Sequence, residues 1–248
     1  MWTRPSPTVP YVKIYSEKRE VFNVLIDVFR DLKDVTVKPG IISRQFHFFL
    51  PSDLPSTYED SVAKVSYKII IQNKGGWALS KKENVVFNVI NHVDLTQFED
   101  YKIPMLYEMS KTFGKSSHFV MHFKTYKGFS SNQIIQFEAI ITNEKKIKVT
   151  KLKVALIQKL DYNVSSGYSS NEKTICNSYF TDVLSLSEQS CCIEMEIPQV
   201  VPSTTNVQDP MVNISYYLRV KVVFRFHLPL FSDIPVTIGT VPLNHNNF

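Results

Sequence analysis

Glycine is scarce in this chain, 7 residues in 248, too few to build the glycine-rich loops that cradle phosphates. Cysteine is scarcer: Cys176, Cys191 and Cys192 are an odd set without a CxxC pair, which argues against a disulfide framework, a zinc site or a redox dithiol. No apolar run approaches the roughly 20 residues of a membrane-spanning helix, and the opening "MWTRPSPTVP" lacks the apolar core of a secretory leader. Neither charge sign dominates, with 28 basic against 23 acidic residues, so no nucleic-acid partner is indicated. These absences imply a cytoplasmic, reducing setting, where the sequons at Asn163 and Asn213 go unused. What is plentiful is hydrophobic residues, 44% of the chain, enough for a sizeable core.

Those residues recur with period two. From Val212 the even positions read Val212, Ile214, Tyr216, Leu218, Val220, Val222, Phe224, Phe226 and Leu228, while Asn213, Ser215, Arg219, Lys221, Arg225 and His227 fall between them. That is one long strand with a buried and a wet face. The pattern returns in "AKVSYKIII", with Val65, Tyr67, Ile69 and Ile71 on one face, and in "CCIEMEIP", with Cys191, Ile193, Met195 and Ile197 on one face. Half-wet strands belong to antiparallel sheets packed face to face, so the expected fold is all-β, a β-sandwich. One stretch, "EKREVFNVLIDVFRDLKDV", fits both a helix (Val21, Leu25, Val28, Leu32) and a strand (Phe22, Val24, Ile26, Val28). Asn163 to Thr174 and Pro202 to Pro210 read as turn-rich loops.

No catalytic constellation emerges. His118 and His122 alternate with Phe119, Met121 and Phe123, so they lie on a strand about 13 Å apart, too far to share a metal. Glu194 and Glu196 stand on one wet strand face rather than across a cleft. No GxSxG turn presents a nucleophile. The chain is expected not to be an enzyme and to carry no catalytic residue, cofactor or metal.

Charge is concentrated in one place. "EKKIKVTKLKVALIQK" holds six lysines against one glutamate, which accounts for the whole net charge of +5, since the rest balances at 22 against 22. Lys145, Lys146, Lys148, Lys151 and Lys153 are the candidate patch for acidic head groups or phosphorylated tails. The competing reading is an edge strand kept from aggregating by its lysines.

Several stretches resemble the arrestin fold. "GIISRQFHFFLPSDLPSTYEDSVAKVSYKI" looks like an arrestin N-terminal domain through Gly40, Phe46, Phe48, Leu50, Pro51, Leu54, Pro55, Ser56 and Tyr67. "GGWALSKKENVVFNVINHVDL" is similar to that domain's last strands through Trp77, Phe87, Val89, Asp94 and Leu95. Gly128, Phe129, Asn143 and Gln158 match the opening of an arrestin C-terminal domain, and "IPQVVPSTT", "VNISYYLRVKV" and "SDIPVTIGTVPL" match its close. The order of the pieces fits the arrestin-domain-containing branch, the α-arrestins.

The resemblance implies two consecutive antiparallel, immunoglobulin-like sandwiches. The expected divisions are a proline-containing arm at 1–10, an arrestin N-like sandwich at 11–95, a linker at 96–114, an arrestin C-like sandwich at 115–243 and a short tail at 244–248. Few residues precede "YSEKREVF", so the first sandwich is expected to be partial, and the family favours strand for that ambiguous stretch. Pro235 would sit at the start of the last strand, Gly239 at a close approach or bulge, and Asn132 at a left-handed turn.

By the same resemblance the protein would be an adaptor in membrane-protein trafficking and endocytosis. It would bind cargo tails in the cytoplasm and be recruited to the plasma membrane or endosomes, with acidic phospholipid as a further partner. HECT-type ubiquitin ligases are partners of the family through PPxY motifs, but no PPxY stands in these residues. The alternative is a coat or scaffold subunit similar to the arrestin-like subunit of retromer.

Overall fold

The computed structural model describes residues 16–32, 35–36, 38–72, 82–115, 117–181 and 187–245. The described residues are almost wholly strand and connection, with two three-residue 3-10 turns at Arg30–Leu32 and Glu99–Tyr101. The strands are β1 (Tyr58–Glu59), β2 (Lys64–Val65), β3 (Tyr67–Gln72), β4 (Lys82–Phe87), β5 (Met105–Phe113), β6 (Ser117–Thr125), β7 (Gly128–Ser130) and β8 (Ile134–Asn143). They continue with β9 (Val149–Val164), β10 (Gly167–Phe180), β11 (Glu188–Glu196), β12 (Val212–Phe224) and β13 (Leu230–Gly239).

From Met105 onward the chain forms a sandwich of a five-stranded sheet, ordered β10-β9-β12-β13-β7, and a four-stranded sheet, ordered β11-β8-β6-β5. The alternation in the sequence is what packs them. Phe119, Met121 and Phe123 of β6 and Phe137 and Ile141 of β8 face Leu152, Leu156, Leu218, Val220 and Val222 of β9 and β12 in one buried cluster. Phe123 stacks on Phe137 with centroids 5.4 Å apart, and Phe119 meets Phe224 edge-on at 5.0 Å. One buried polar pair completes this interior: Gln158 Nε2 donates to Tyr216 Oη at 2.7 Å, and that hydroxyl donates to Val201 O at 2.6 Å.

One pairing is parallel, β7 with β13. The chain leaves β6 at Thr125 and crosses to the other sheet without reversing direction, so β7 runs the same way as β13. The turn after β7 places Asn132 at φ 61°, the left-handed conformation expected there.

Several expectations are corrected. Met105–Phe113, assigned to the linker, is an edge strand of the second sandwich: Tyr107 and Met109 face inward while Leu106, Glu108, Ser110 and Thr112 face out. Lys111 on the inward face and Leu106 on the outward one hid the alternation. The polar stretch 163–174 is not a loop, since β9 runs to Val164 and β10 begins at Gly167. This hairpin reaches beyond the core, so both of its faces are wet and hydrophilic residues suit both. Pro235 lies inside β13, which begins at Leu230; β7 covers only Thr237–Gly239, leaving the far edge at Pro235 without a strand partner among the described residues.

The first half is β as well, yet it contributes two small sheets, β1-β2 and β3-β4, around a cluster of Leu54, Tyr67 and Val89. The ambiguous stretch is neither α-helix nor paired strand from Ser16 to Asp27. The aromatic run around Phe46 and Phe48 has no ladder, and Trp77 lies outside the described residues. Among the described residues, the first half reaches the second sandwich at one end only. Thr240 N donates to Val93 O at 2.8 Å, and a Cβ on Gly239 would lie 2.8 Å from that oxygen. At Gly128 a Cβ would lie 2.7 Å from the ring of Tyr101. These two glycines let the connecting segment lie flat against the sandwich. The tail joins this contact through His245, which stacks on Tyr126 with centroids 4.0 Å apart.

Candidate functional site

The ends of the second sandwich differ. One meets the first half; the other presents the turns β5–β6, β8–β9 and β12–β13, and it is there that the lysine-rich segment begins. Asn143 builds the β8–β9 turn. Its fully buried amide donates from Nδ2 to Ile147 O at 2.8 Å and accepts from Ile147 N at 2.9 Å, while Lys146 N donates to Asn143 O at 2.9 Å. Lys146 takes φ 50° to close the turn, and Lys145, Lys146 and Lys148 are left exposed.

The β12–β13 turn lies beside it, with Arg225 N donating to Lys148 O at 3.0 Å. Here the sequence reading is corrected: β12 ends at Phe224, and the apparent continuation of its buried face points into solvent, with Phe226 82% and Leu228 81% exposed. The Arg225 guanidinium sits 5.0 Å from the Phe226 ring centroid. Lys111 supports the turn from β5 by donating from Nζ to Leu228 O, its ammonium 5.4 Å and 5.6 Å from the rings of Phe113 and Phe224. Phe113 also packs edge-on against His227 at 4.7 Å. The far end therefore carries two exposed apolar side chains, Phe226 and Leu228, on one turn with Arg225, and Lys145, Lys146 and Lys148 on the adjoining turn.

Lys151 and Lys153 lie elsewhere, on the outer face of the five-stranded sheet. β9 sits between β10 and β12, so the edge-strand reading of these lysines does not hold. Lys153 is directly opposite Tyr179 on one side and Lys221 on the other. Such neighbours are about 5 Å apart between Cα atoms, so two like charges face each other across the ladder. Lys151 Nζ lies 3.9 Å from the Tyr179 ring centroid. Among the described residues none of these seven basic groups, Lys145, Lys146, Lys148, Lys151, Lys153, Lys221 and Arg225, forms an ion pair. The structure thus divides the five lysines into a turn trio and a sheet pair and adds Arg225 and Lys221. Both additions stood in the wet face of the β12 alternation; what was missing was which strand lies beside them.

The other candidates are ordinary surface groups or, like Cys191, part of the core. His118 and His122 point outward from β6, His118 3.2 Å from Thr112 Oγ1 and His122 3.6 Å from Glu108. Glu194 accepts from Gln136 Nε2 at 2.8 Å on the wet face of β11. Burial pushes the Cys191 thiol up to about 11, and Cys192 is exposed. No group of three or more potential metal ligands occurs among the described residues, nor is any helix there long and apolar enough to cross a membrane.

The family model for the arrestin (or S-antigen) C-terminal domain matches residues 125–243, from the end of β6 to just past β13. The second half of the chain is similar to an arrestin C-terminal domain. Human arrestin domain-containing protein 1 is 22% identical to the chain over 213 residues, 83% of the chain. The chain spans about half the length of that relative, 48%. The chain is thus similar to arrestin-domain proteins and has an all-β fold, and its far end is the turn end of the sandwich that this family model matches.

Proposed function

We propose that this protein is a non-enzymatic adaptor in membrane-protein trafficking, acting in the cytoplasm and docking on acidic membrane through the far end of its second sandwich. The observation that carries the docking reading is the pairing of exposed Phe226 and Leu228 with Lys145, Lys146, Lys148 and Arg225 on two adjoining turns. Apolar side chains of this size enter the interface of a bilayer, and each nearby basic residue adds about 1 kcal/mol of attraction to an anionic leaflet. Similarity to arrestin-domain proteins supports the adaptor role, with membrane-protein cargo tails as partners. Edges and loops of the sandwich remain free for such tails once the far end lies on the membrane. Ligase linkage is not part of this proposal, because no PPxY stands in these residues.

Vesicle co-sedimentation tests the docking. The chain should bind phosphatidylserine-containing vesicles, more weakly at high salt, and hardly bind phosphatidylcholine alone. Replacing Lys145, Lys146, Lys148 and Arg225 by serine should remove the salt-dependent part. Phe226→Ser with Leu228→Ser should remove what persists at high salt. Binding unchanged by both sets would refute the docking. Failure of the chain to co-purify with endocytosed membrane proteins would refute the adaptor role.

A further inference from the structure

Two clasps join the first half to the near end of the second sandwich, and they differ in kind. The first is Asp60, in the turn between β1 and β2. Its Oδ2 accepts from Tyr58 Oη at 2.6 Å and from Tyr162 Oη of β9, while its Oδ1 accepts from the amides of Val62 at 2.8 Å and Ala63 at 2.7 Å. One carboxylate thus closes the hairpin turn and ties it to a buried tyrosine of the other half. Burial alone would raise the Asp60 pKa; the hydrogen bonds from Tyr162, Tyr58, Ala63 and Val62 outweigh it and hold the carboxyl at about 2.

The second clasp is charged and solvent-facing. Glu17 Oε2 accepts from the backbone amide of Ser165, in the β9–β10 turn, at 2.6 Å. Arg19 Nη1 donates to both the backbone oxygen and Oδ2 of Asp209 at 3.0 Å, and Nη2 donates to Glu17 at 3.2 Å. Asp209 accepts this grip at φ 44°, and its side chain is exposed. Three residues further on, Phe22 packs on the small cluster of Leu54, Tyr67 and Val89. Ser16–Phe22 is a strap anchored at Phe22 and held across two loops of the second sandwich by Glu17 and Arg19.

We infer that this strap is a releasable device: it detaches from the Ser165 and Asp209 loops by itself, while the Asp60 hairpin stays docked. Exposed ion pairs weaken as the Debye length shrinks from about 14 Å to about 3 Å between 0.05 M and 1 M salt, whereas a shielded carboxylate held by hydroxyls and amides is little affected. Local opening with independent free energies follows from contacts so unlike in kind, a grip that depends on the Arg19 charge and a carboxylate held by hydroxyls and amides.

Each clasp carries its own backbone reporter. The Ser165 amide is bonded to Glu17, and the Val62 and Ala63 amides are bonded to Asp60. Hydrogen exchange of the full chain should show the Ser165 amide speeding up about fivefold or more over that salt range, with Val62 and Ala63 changing less than about twofold. Arg19→Ala should bring the fast Ser165 exchange to low salt without touching Val62. Asp60→Asn should do the reverse, and Tyr162→Phe, which keeps the ring, should repeat the Asp60→Asn effect in weaker form. Salt-independent exchange at Ser165, or Ser165 and Ala63 opening together in every variant, would overturn the inference.

Discussion

The two halves are made of similar residues and use them differently. In the second, aromatic and branched side chains from nine strands meet in one interior. In the first, Leu25 is 97% and Phe49 94% exposed, and the described core reduces to Leu54, Tyr67 and Val89 with a few neighbours. β3 shows why. Tyr67 at its start is buried by the cluster, but burial along the same face fades through Ile69 to Ile71, because no second sheet covers the hairpin among the described residues. Alternation supplies a sheet with an apolar face; only a facing layer turns that face into stability.

This comparison can be broken most sharply at Phe137. It is fully buried between the sheets, so Phe137→Ala should cost about 3–5 kcal/mol in denaturant unfolding, while Leu54→Ala should cost clearly less, since fewer neighbours lose contact. Equal losses would mean that the first half is as well packed as the second. Next comes Asn143. Asn143→Ala removes both bonds to Ile147 inside a buried turn, an expected loss of about 1–3 kcal/mol, and it should weaken vesicle binding by displacing Lys145, Lys146 and Lys148.

The seam between the halves gives a similar or smaller effect. Gly239→Ala places a methyl 2.8 Å from Val93 O, so about 1–3 kcal/mol of overpacking should appear, together with faster proteolysis of the segment around Val93 and Leu95. A neutral substitution would show that this contact is loose. The smallest expected change is at His245, whose pKa burial lowers against the opposing hydrogen bond to Gly128 O. A depressed folded-state pKa means that its contribution is present above the ordinary value of about 6.5 and lost as pH falls below it. Thermal melts from pH 7.5 to 5 should therefore fall further for the wild type than for His245→Phe, which keeps the stacking on Tyr126.

Much of the second sandwich was legible because its strands alternate cleanly and neighbour the same core. β11 and β12 stood in the sequence with their buried faces already sorted. The failures share one cause: period two reports a strand's faces but not where the opposing layer stops. It carried β12 past Phe224 into Phe226 and Leu228, which lie beyond the other sheet and point to solvent. It missed the 163–174 hairpin, which has no opposing layer, and it missed Met105–Phe113 because Lys111 faces inward to reach Leu228 O. The candidate site was half legible for the same reason. Lysine spacing marked the segment, but strand order was needed to part the turn trio from Lys151 and Lys153 and to set Arg225 and Lys221 beside them.

On the proposed reading, a firm second sandwich holds the first half at one end and offers the other to an acidic membrane. Hydrogen exchange of the full chain with and without phosphatidylserine vesicles tests it most directly. New protection is expected in Asn143–Lys148 and Arg225–Leu230, with the Tyr58–Val65 hairpin unchanged. Protection confined to the hairpin and the Ser16–Phe22 strap, or none anywhere, would contradict it.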